Sequence, residues 1–425
     1  MLDIKFIREN KELIIEGARK KHIKFDPSDL IKADDKRKEL LTEIESKRAE
    51  QNEVSVRLPQ LKDAGQKAEL ISQMKILKEH LQKEEEKLKE VMKEWQTLML
   101  QVPNVPDVSV PEGNTDEDNK EVKSWGEIPK MDFNPKDHIE LMESLDLADF
   151  EMGTKVAGFR GYFLKNEGAE LEFAIWQLAI DLFRQKHPDY SLMVVPSLVK
   201  REALLGTGYL PQAEDEIYRT QDSDYLAGTA EVATMSYFGD KTLKKEELPK
   251  KVLAFSPCFR REAGSYSKDT KGIMRVHEFF KFEQVILCEA SHETSVKYHE
   301  ELLSNAEEIL QAMDIPYHVV VNCGGDLGLG QVKKYDIEVW IPSQQKYRES
   351  HSCSYFHDFQ SRRLNIRYRD EDGKVKFTHS LNNTAIATPR IIIAILENYQ
   401  QADGSIKIPE GLKKYMGGKE FIGKK

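Results

Sequence analysis

The sequence contains little cysteine and no long apolar segment. Its four cysteines are too far apart to form a pair with zinc-ligand spacing, and they lie at Cys258, Cys288, Cys323 and Cys353. Nothing in this spacing indicates a disulfide framework, so we expect no zinc and a reducing compartment, the cytoplasm. No apolar run approaches the roughly 18 residues that a membrane span requires, and Met1-Leu2-Asp3 begins no secretory signal. The composition therefore argues against secreted disulfide scaffolds and membrane-spanning proteins.

The common nucleotide-binding and hydrolase motifs are also missing. No glycine-rich loop ends in Lys-Ser or Lys-Thr, and Gly328-Leu329-Gly330 lacks the third glycine of a dinucleotide fingerprint. His277-Glu278 is followed by Lys281, where a zinc protease has its second histidine, and no Gly-x-Ser-x-Gly elbow occurs. An enzyme with this sequence that used ATP would have to bind it on another platform.

Charge is divided unevenly along the chain. The 425 residues carry a formal net charge of -10, but residues 1–105 hold 22 basic and 21 acidic side chains, and the remainder holds 41 and 52. A chain of this length usually forms more than one domain. Because the front is near neutral and the body is acidic, any contact with RNA should depend on local basic patches.

The first hundred residues predict a helical arm. Residues 1–25 have apolar residues at the spacing of a short amphipathic helix, and two 3/4-alternating series then start at Leu30 and at Leu70. Pro59 and the run 62–65 supply a breaker and a turn between the two series. We therefore predict an antiparallel two-helix hairpin, and about 33 residues per helix would give an arm of roughly 50 Å. A hairpin of this kind is more often a dimerisation or spacer element than an RNA-binding device.

A proline-rich and acidic segment separates the arm from the body. The predicted domains are the arm at 1–105, an irregular linker at 106–136 and a body at 137–425. The body alternates helical stretches, at 170–185 and 293–313, with strand candidates at 251–256, 278–288, 317–322, 335–341, 364–369 and 375–379. Several strands follow one another through short loops, which predicts an α+β fold with a largely antiparallel sheet flanked by helices.

The most informative segment of the body runs from Phe255 to Glu283. It predicts a strand that ends near Arg260, a polar loop and a returning strand, so that a bidentate cation for a phosphate stands at the strand end. On the returning strand, Phe279, Lys281 and Glu283 share one face, and Phe279 lies about 13 Å from Glu283. This separation suits a ligand with an aromatic base at one end and an ammonium group at the other.

This arrangement resembles motif 2 of class II aminoacyl-tRNA synthetases. The stretch Ser380 to Arg390, followed by an apolar helix, resembles motif 3, and Pro196 is similar to the proline of motif 1. Within the class, the match is closest to the seryl-tRNA synthetase family, which also begins with a helical hairpin. The segments that carry this closer match are Thr229-Ala230-Glu231, Gly325 to Gly328, Tyr335 to Trp340 and Arg348 to Ser354.

The resemblance implies two groups of ligand-binding residues. Arg260 would contact the α-phosphate of ATP and Arg390 the γ-phosphate, and these two arginines are the expected catalytic residues. The expected ATP-binding set is Arg260, Arg261, Glu262, Val276, Phe279, Glu349, Ser350, His351, Ser352 and Arg390, with Glu349 and Ser352 as ligands of an ATP-bound Mg²⁺. The expected serine-binding set is Thr229, Ala230, Glu231, Glu283 and Thr384. Thr384 and Arg261 depart from the residues that are common in the family.

The same resemblance implies a function. It predicts a homodimeric class II ligase that activates L-serine with ATP and transfers the serine to tRNA(Ser), and it leaves tRNA(Sec) open as a second substrate. Two other hypotheses compete. An adaptor could use the arm and keep an inactive ligase body, or a related ligase could load an amino acid onto a carrier protein. The intact set of candidate site residues argues against the first, and the long arm argues against the second.

Overall fold

A computed structural model describes residues 1–265 and 269–423, and so part of the polar loop predicted between Gly264 and Arg275 lies outside the described residues. The chain divides into two compact units. One comprises residues 1–19 and 23–103, and the other comprises residues 20–22 and the chain from Asn104 onward. Among the described residues, no helix combines the length and the apolar character that crossing a membrane requires.

The first unit is a helical hairpin preceded by two short helices. The helices are α1 (Ile4–Glu9), α2 (Lys11–Lys20), α3 (Pro27–Arg57) and α4 (Ala64–Gln101). The single helix predicted over residues 1–25 was wrong. Helix α1 stops at Asn10, where the backbone N–H and the side-chain amide of Asn10 both donate to the carbonyl of Phe6.

The heptad pattern explains the long hairpin. Leu30, Ala33, Leu40 and Ile44 are buried residues of α3, and Leu81 is among those of α4. Each long helix begins with an aspartate whose carboxylate accepts a backbone N–H of the first turn, which satisfies a donor that the helix leaves open. These caps are Asp26, which accepts from Ser28, and Asp63, which accepts from Gln66.

The second unit is built on an eight-stranded sheet. Its strands in chain order are β1 (Lys120–Trp125), β2 (Ser191–Val194), β3 (Lys250–Phe259), β4 (Glu278–Cys288), β5 (Tyr317–Val321), β6 (Lys333–Ile341), β7 (Lys346–Tyr355) and β8 (His379–Ala387). The spatial order is β1-β5-β6-β7-β8-β4-β3-β2. All neighbours are antiparallel except β2 and β3, as short connections predicted.

Helices cover the sheet and its margins. They are α5 (His138–Ser144), α6 (Phe150–Ala157), α7 (Asn166–Lys186), α8 (Arg201–Thr207), α9 (Glu231–Tyr237), α10 (His292–Ala312), α11 (Phe359–Leu364), α12 (Thr388–Tyr399) and α13 (Glu410–Lys413). Short two- and three-residue strands stand apart from the main sheet, at 148–149, 163–164, 198–199, 218–219, 225–226, 242–244, 367–369, 375–377, 406–407 and 421–422. The helices and the sheet together form the predicted α+β body.

Strand β4 is buried on both faces. Phe282 and Ile286 belong to the large hydrophobic core that contains α7, α10 and α12. Val285 and Leu287 belong to a second core with residues of α8 and α9. Since side chains alternate along a strand, Lys281 and Glu283 lie on the second of these faces.

Two further sequence predictions differ from the structure. The strand predicted at 364–369 was wrong in its first half, because Leu364 ends helix α11 and Asn365 has a left-handed φ of 55°. Only Arg367–Arg369 forms a strand. The segment expected to be an irregular linker contains β1, whose Lys120–Trp125 backbone pairs with Tyr317–Val321 at the edge of the sheet.

Candidate active site

The predicted face of β4 forms the floor of a cleft in the second unit. Phe279 and Lys281 line this cleft together with Arg260, Glu349 and Arg390. The remaining lining residues are Glu262, Ile273, Met274, Arg275, Val276, Ser350, Ala387 and Pro389.

Arg260 is positioned by the backbone that follows β3. Its N–H donates to the carbonyl of His277 at 2.9 Å, which continues the pairing of β3 with β4. Its guanidinium carbon lies 5.3 Å from the centre of the Phe279 ring, and its Nε and Nη2 each lie 3.4 Å from the carbonyl oxygen of Gly228. The predicted phosphate-binding cation and the predicted base-stacking ring are therefore neighbours.

Glu262 stands beside two arginines. Its Oε2 accepts from Nη1 of Arg275 at 3.2 Å and lies 3.9 Å from Nη1 of Arg160. The φ of Glu262 is 52°, a left-handed conformation that turns the chain out of β3. The carboxylate is held from two sides at the edge of the cleft, where an acceptor for an amine is predicted.

A β-bulge brings Glu349 and Ser352 to one face of β7. Ile337 pairs with His351 and Glu338 pairs with Glu349, so Ser350 is the extra residue. Such a bulge reverses the alternation of side chains beyond it. Two residues three positions apart thereby point the same way, and both carry hard oxygen atoms of the kind that Mg²⁺ prefers.

Glu349 is tied to the predicted second phosphate-binding arginine. Nη1 of Arg390 donates to the backbone carbonyl of Glu349 at 2.6 Å and lies 3.3 Å from its Oε2. The side chain of Glu349 is 48% exposed. Its partial desolvation would raise the pKa of Glu349, but Arg390, Lys334 and Arg260 outweigh it and hold this pKa below its ordinary value. The carboxylate therefore remains ionised at neutral pH.

The predicted serine-binding residues form a buried cluster, here called the inner pocket, that contacts the cleft residue Lys281 and contributes none of the cleft lining. Oγ1 of Thr229 donates to Glu283 at 3.2 Å, and the N–H of Glu231 donates to the same Oγ1 at 3.3 Å. Thr384 lies opposite Glu283 because Ala385 is an extra residue in β8 where it pairs with β4. Ala230 precedes α9 and contributes no polar side chain. All five residues are buried.

Two residues without a predicted role donate hydrogen bonds to the carboxylate of Glu231. Its two carboxylate oxygens accept from the hydroxyl of Tyr209 at 2.8 Å and from Nε2 of Gln360 at 2.5 Å. Burial raises the pKa of Glu231 to about 7, and the nearby charge of Glu283 adds to this increase. No local pattern marks Tyr209 or Gln360, since both are far from Glu231 in sequence.

Lys281 is the third residue that received no predicted role. Its Nζ donates to Oγ1 of Thr229 at 2.9 Å and forms an ion pair with Glu283. The signal for it was present, because strand parity places Lys281 between Phe279 and Glu283.

Three predicted ATP-binding residues do not line the cleft. Arg261 is exposed and its N–H donates to the carbonyl of Glu216. His351 is buried, and burial lowers its pKa to about 4, so it is a neutral core residue. Ser352 is partly buried beside the bulge. Their roles at the nucleotide remain predictions.

Comparison with known proteins identifies both parts of the chain. Residues 1–106 match the seryl-tRNA synthetase N-terminal domain, and residues 214–399 match the tRNA synthetase class II core domain (G, H, P, S and T). The serine–tRNA ligase of Deinococcus radiodurans is 44% identical over 424 residues, which cover 100% of this chain and 99% of the relative. The chain belongs to the seryl-tRNA synthetase family. The serine–tRNA ligase of Finegoldia magna is 45% identical and covers 98% of this chain and 99% of its own length.

Solved structures of this synthetase family share the fold. The seryl-tRNA synthetase of Pyrococcus horikoshii, crystallised with ATP, superposes with a TM-score of 0.90 at 37% identity and covers 99% of both chains. The cytoplasmic serine–tRNA ligase of Naegleria fowleri, in complex with AMP, gives 0.86 at 30% identity over 99% of this chain and 98% of that one. The predicted family and the predicted class II synthetase fold are thus confirmed.

Proposed function

We propose that this chain is a serine–tRNA ligase that converts L-serine and ATP to seryl-adenylate and pyrophosphate and then transfers the serine to the 3′ end of tRNA(Ser). The observation that carries the proposal is the arrangement along one face of β4. Phe279 lies beside Arg260 in the cleft, and beyond Lys281 lies the inner pocket with the buried carboxylates of Glu283 and Glu231.

The first step follows from the positions of the charged groups. The carboxylate of serine is already a nucleophile, so it attacks the α-phosphorus without a general base and expels pyrophosphate. Arg260 stabilises charge on the α-phosphate, and Arg390 binds the γ-phosphate. The chain therefore contributes mainly positioning and charge neutralisation.

The nucleotide base occupies the outer end of the cleft. Phe279 stacks on the adenine ring, and Glu262 accepts its amino group. Val276 lines the same wall and is almost fully buried, which closes the cleft on this side. Arg261, Ser350 and His351 complete the proposed ATP-binding set.

Magnesium is the proposed cofactor and would arrive with ATP. Glu349 and Ser352 would hold it, since the bulge at Ser350 puts a carboxylate and a hydroxyl on one face. When bound, Mg²⁺ neutralises phosphate charge and favours departure of pyrophosphate.

Selection of serine takes place in the inner pocket. Glu283, Glu231, Thr229 and Thr384 surround the ammonium and hydroxyl groups, and Ala230 supplies backbone. A pocket that hydrogen-bonds the substrate hydroxyl rejects alanine strongly, because its buried polar groups would be left unpaired. Threonine must be rejected by size.

The arm, residues 1–105, is the proposed tRNA-binding domain, followed by a linker at 106–136 and the catalytic domain at 137–425. The match of residues 1–106 to the seryl-tRNA synthetase N-terminal domain supports this assignment. Its near-neutral charge indicates that few phosphates are contacted through general electrostatics. We also propose a cytoplasmic homodimer, and tRNA(Sec) stays open as a second substrate.

One assay tests this proposal. Amino-acid-dependent ATP–pyrophosphate exchange should occur with serine and only weakly with the other standard amino acids. No exchange with serine, or stronger exchange with threonine or alanine, would contradict the proposal. An adaptor with an inactive body would give no exchange at all, and a carrier-protein ligase would activate an amino acid but fail to charge tRNA.

A further inference from the structure

The inner pocket contains a buried ammonium group for which the proposed chemistry has no use. Lys281 is only 5% exposed, although lysine is rarely buried without a partner. It contacts two members of the proposed serine-binding set directly, Thr229 through a 2.9 Å hydrogen bond and Glu283 through an ion pair. A buried ion pair of this kind does not by itself favour stability, which points to a role in the pocket.

The charges around Lys281 define that role. Glu231 and Glu283 are both buried, with 3% and 2% of their surface exposed. Burial and the charge of Glu283 raise the pKa of Glu231, whereas hydrogen bonds from Gln360 and Tyr209 and then the charge of Lys281 lower it. Lys281 adds one cation to these two carboxylates, so the pocket carries a single net negative charge once Glu231 is ionised.

That single charge matches one feature of an amino acid. A zwitterion has one ammonium group to neutralise the pocket, and its carboxylate extends toward Arg260. Lys281 also fixes the orientation of Thr229. The ammonium group of Lys281 donates to the hydroxyl oxygen of Thr229, and that hydroxyl donates its proton to Glu283. The direction of these two hydrogen bonds is therefore fixed before a ligand binds.

We infer that Lys281 is a positioning residue for amino-acid recognition, which orients Thr229 and Glu283 and leaves the pocket one net negative charge for the ammonium group of the substrate. This inference rests on the proposed function. It acts through the pocket residues and requires no contact between Lys281 and the reacting atoms.

The test compares Lys281→Met, Lys281→Gln and Lys281→Arg with Lys251→Met. Lys251 is the matched control, because it is a partly buried lysine on the neighbouring strand β3 whose Nζ pairs with Asp189 at 2.7 Å and with Glu301 at 2.6 Å, outside the cleft. The KM values for serine and for ATP are measured by pyrophosphate exchange between pH 6 and pH 9. Folding of each variant is checked by thermal unfolding.

We expect Lys281→Met and Lys281→Gln to raise the KM for serine more than about tenfold while the KM for ATP stays within about twofold. The pH below which serine binding weakens should move upward, because Glu231 loses a neighbouring cation. Lys281→Arg should restore this pH, and Lys251→Met should leave it unchanged.

An unchanged serine pH profile in the Met and Gln variants, or a parallel rise in both KM values, would overturn the inference. If Lys281→Met and Lys281→Gln fold but show no exchange, serine binding is measured by calorimetric titration. Wild-type affinity for serine in these variants would overturn the inference. A wild-type chain without serine-dependent exchange would instead refute the proposed function, so the two failures are distinguishable.

Discussion

The hydroxyl of Tyr209 donates a 2.8 Å hydrogen bond to Oε2 of Glu231. Burial, followed by the charge of Glu231, raises the pKa of Tyr209, so this hydroxyl remains a donor throughout the neutral range. The bond fixes the carboxylate from the side opposite the pocket.

Tyr209→Phe removes one donor from Glu231 and leaves the ring in place. We expect the KM for serine to rise about tenfold or more, since a buried charged acceptor loses its partner, while the KM for ATP is unchanged. Steady-state pyrophosphate exchange measures both constants. Tyr225→Phe is the control, because Tyr225 is buried in the second core, against which Tyr209 packs. Equal effects of the two changes would contradict the role of the hydroxyl.

Arg260→Ala should remove serine activation. Loss of a cation aimed at developing charge typically lowers kcat by about 10²–10³-fold, and single-turnover formation of seryl-adenylate would show it. Arg261→Ala is the adjacent comparison, because Arg261 is exposed and outside the cleft lining. A fully active Arg260→Ala chain would refute the assigned role, and a strong defect in Arg261→Ala would support the ATP contact that the resemblance implies.

Deletion of residues 30–100 should separate the two steps of the reaction. Serine-dependent pyrophosphate exchange is expected to persist, because the cleft residues all belong to the unit that begins again at Asn104. Charging of tRNA(Ser) should be lost. Equal loss of both activities in a shortened chain that still unfolds cooperatively on heating would contradict this division.

His318 should make stability depend on pH. Burial alone would lower the pKa of His318, but hydrogen bonds to Glu338 at 2.6 Å and Glu121 at 2.9 Å raise it above the ordinary value of 6.5. A folded-state pKa above the unfolded value gives stabilisation that is complete below the unfolded pKa and is lost as pH rises through the folded one.

His318→Gln should therefore destabilise the second unit more at pH 6 than at pH 9. Urea unfolding at several pH values measures the difference from wild type, and we expect about 1 kcal/mol or less for these partly exposed pairs. A difference that does not change with pH would contradict the argument.

Much of the fold could be predicted from periodicity. The heptad series of α3 and α4 and the strand at Glu278–Cys288 follow directly from the spacing of apolar residues. The α1–α2 break was missed because Asn10 ends α1 through hydrogen bonds that the apolar pattern does not encode. Leu364 was wrongly predicted to begin a strand. Its side chain packs against Gly206 of α8, a tertiary contact that the apolar pattern does not encode.

The sequence by itself determined which side chains share the face of β4, since alternation along a strand is a local property. It did not determine the bulges at Ser350 and Ala385, because an extra residue is defined only against the partner strand. Tertiary structure alone brought Tyr209 and Gln360 to the two oxygens of Glu231. Those contacts join elements that are distant in the chain, because the donors to a buried carboxylate are the groups that lie next to it in the folded structure.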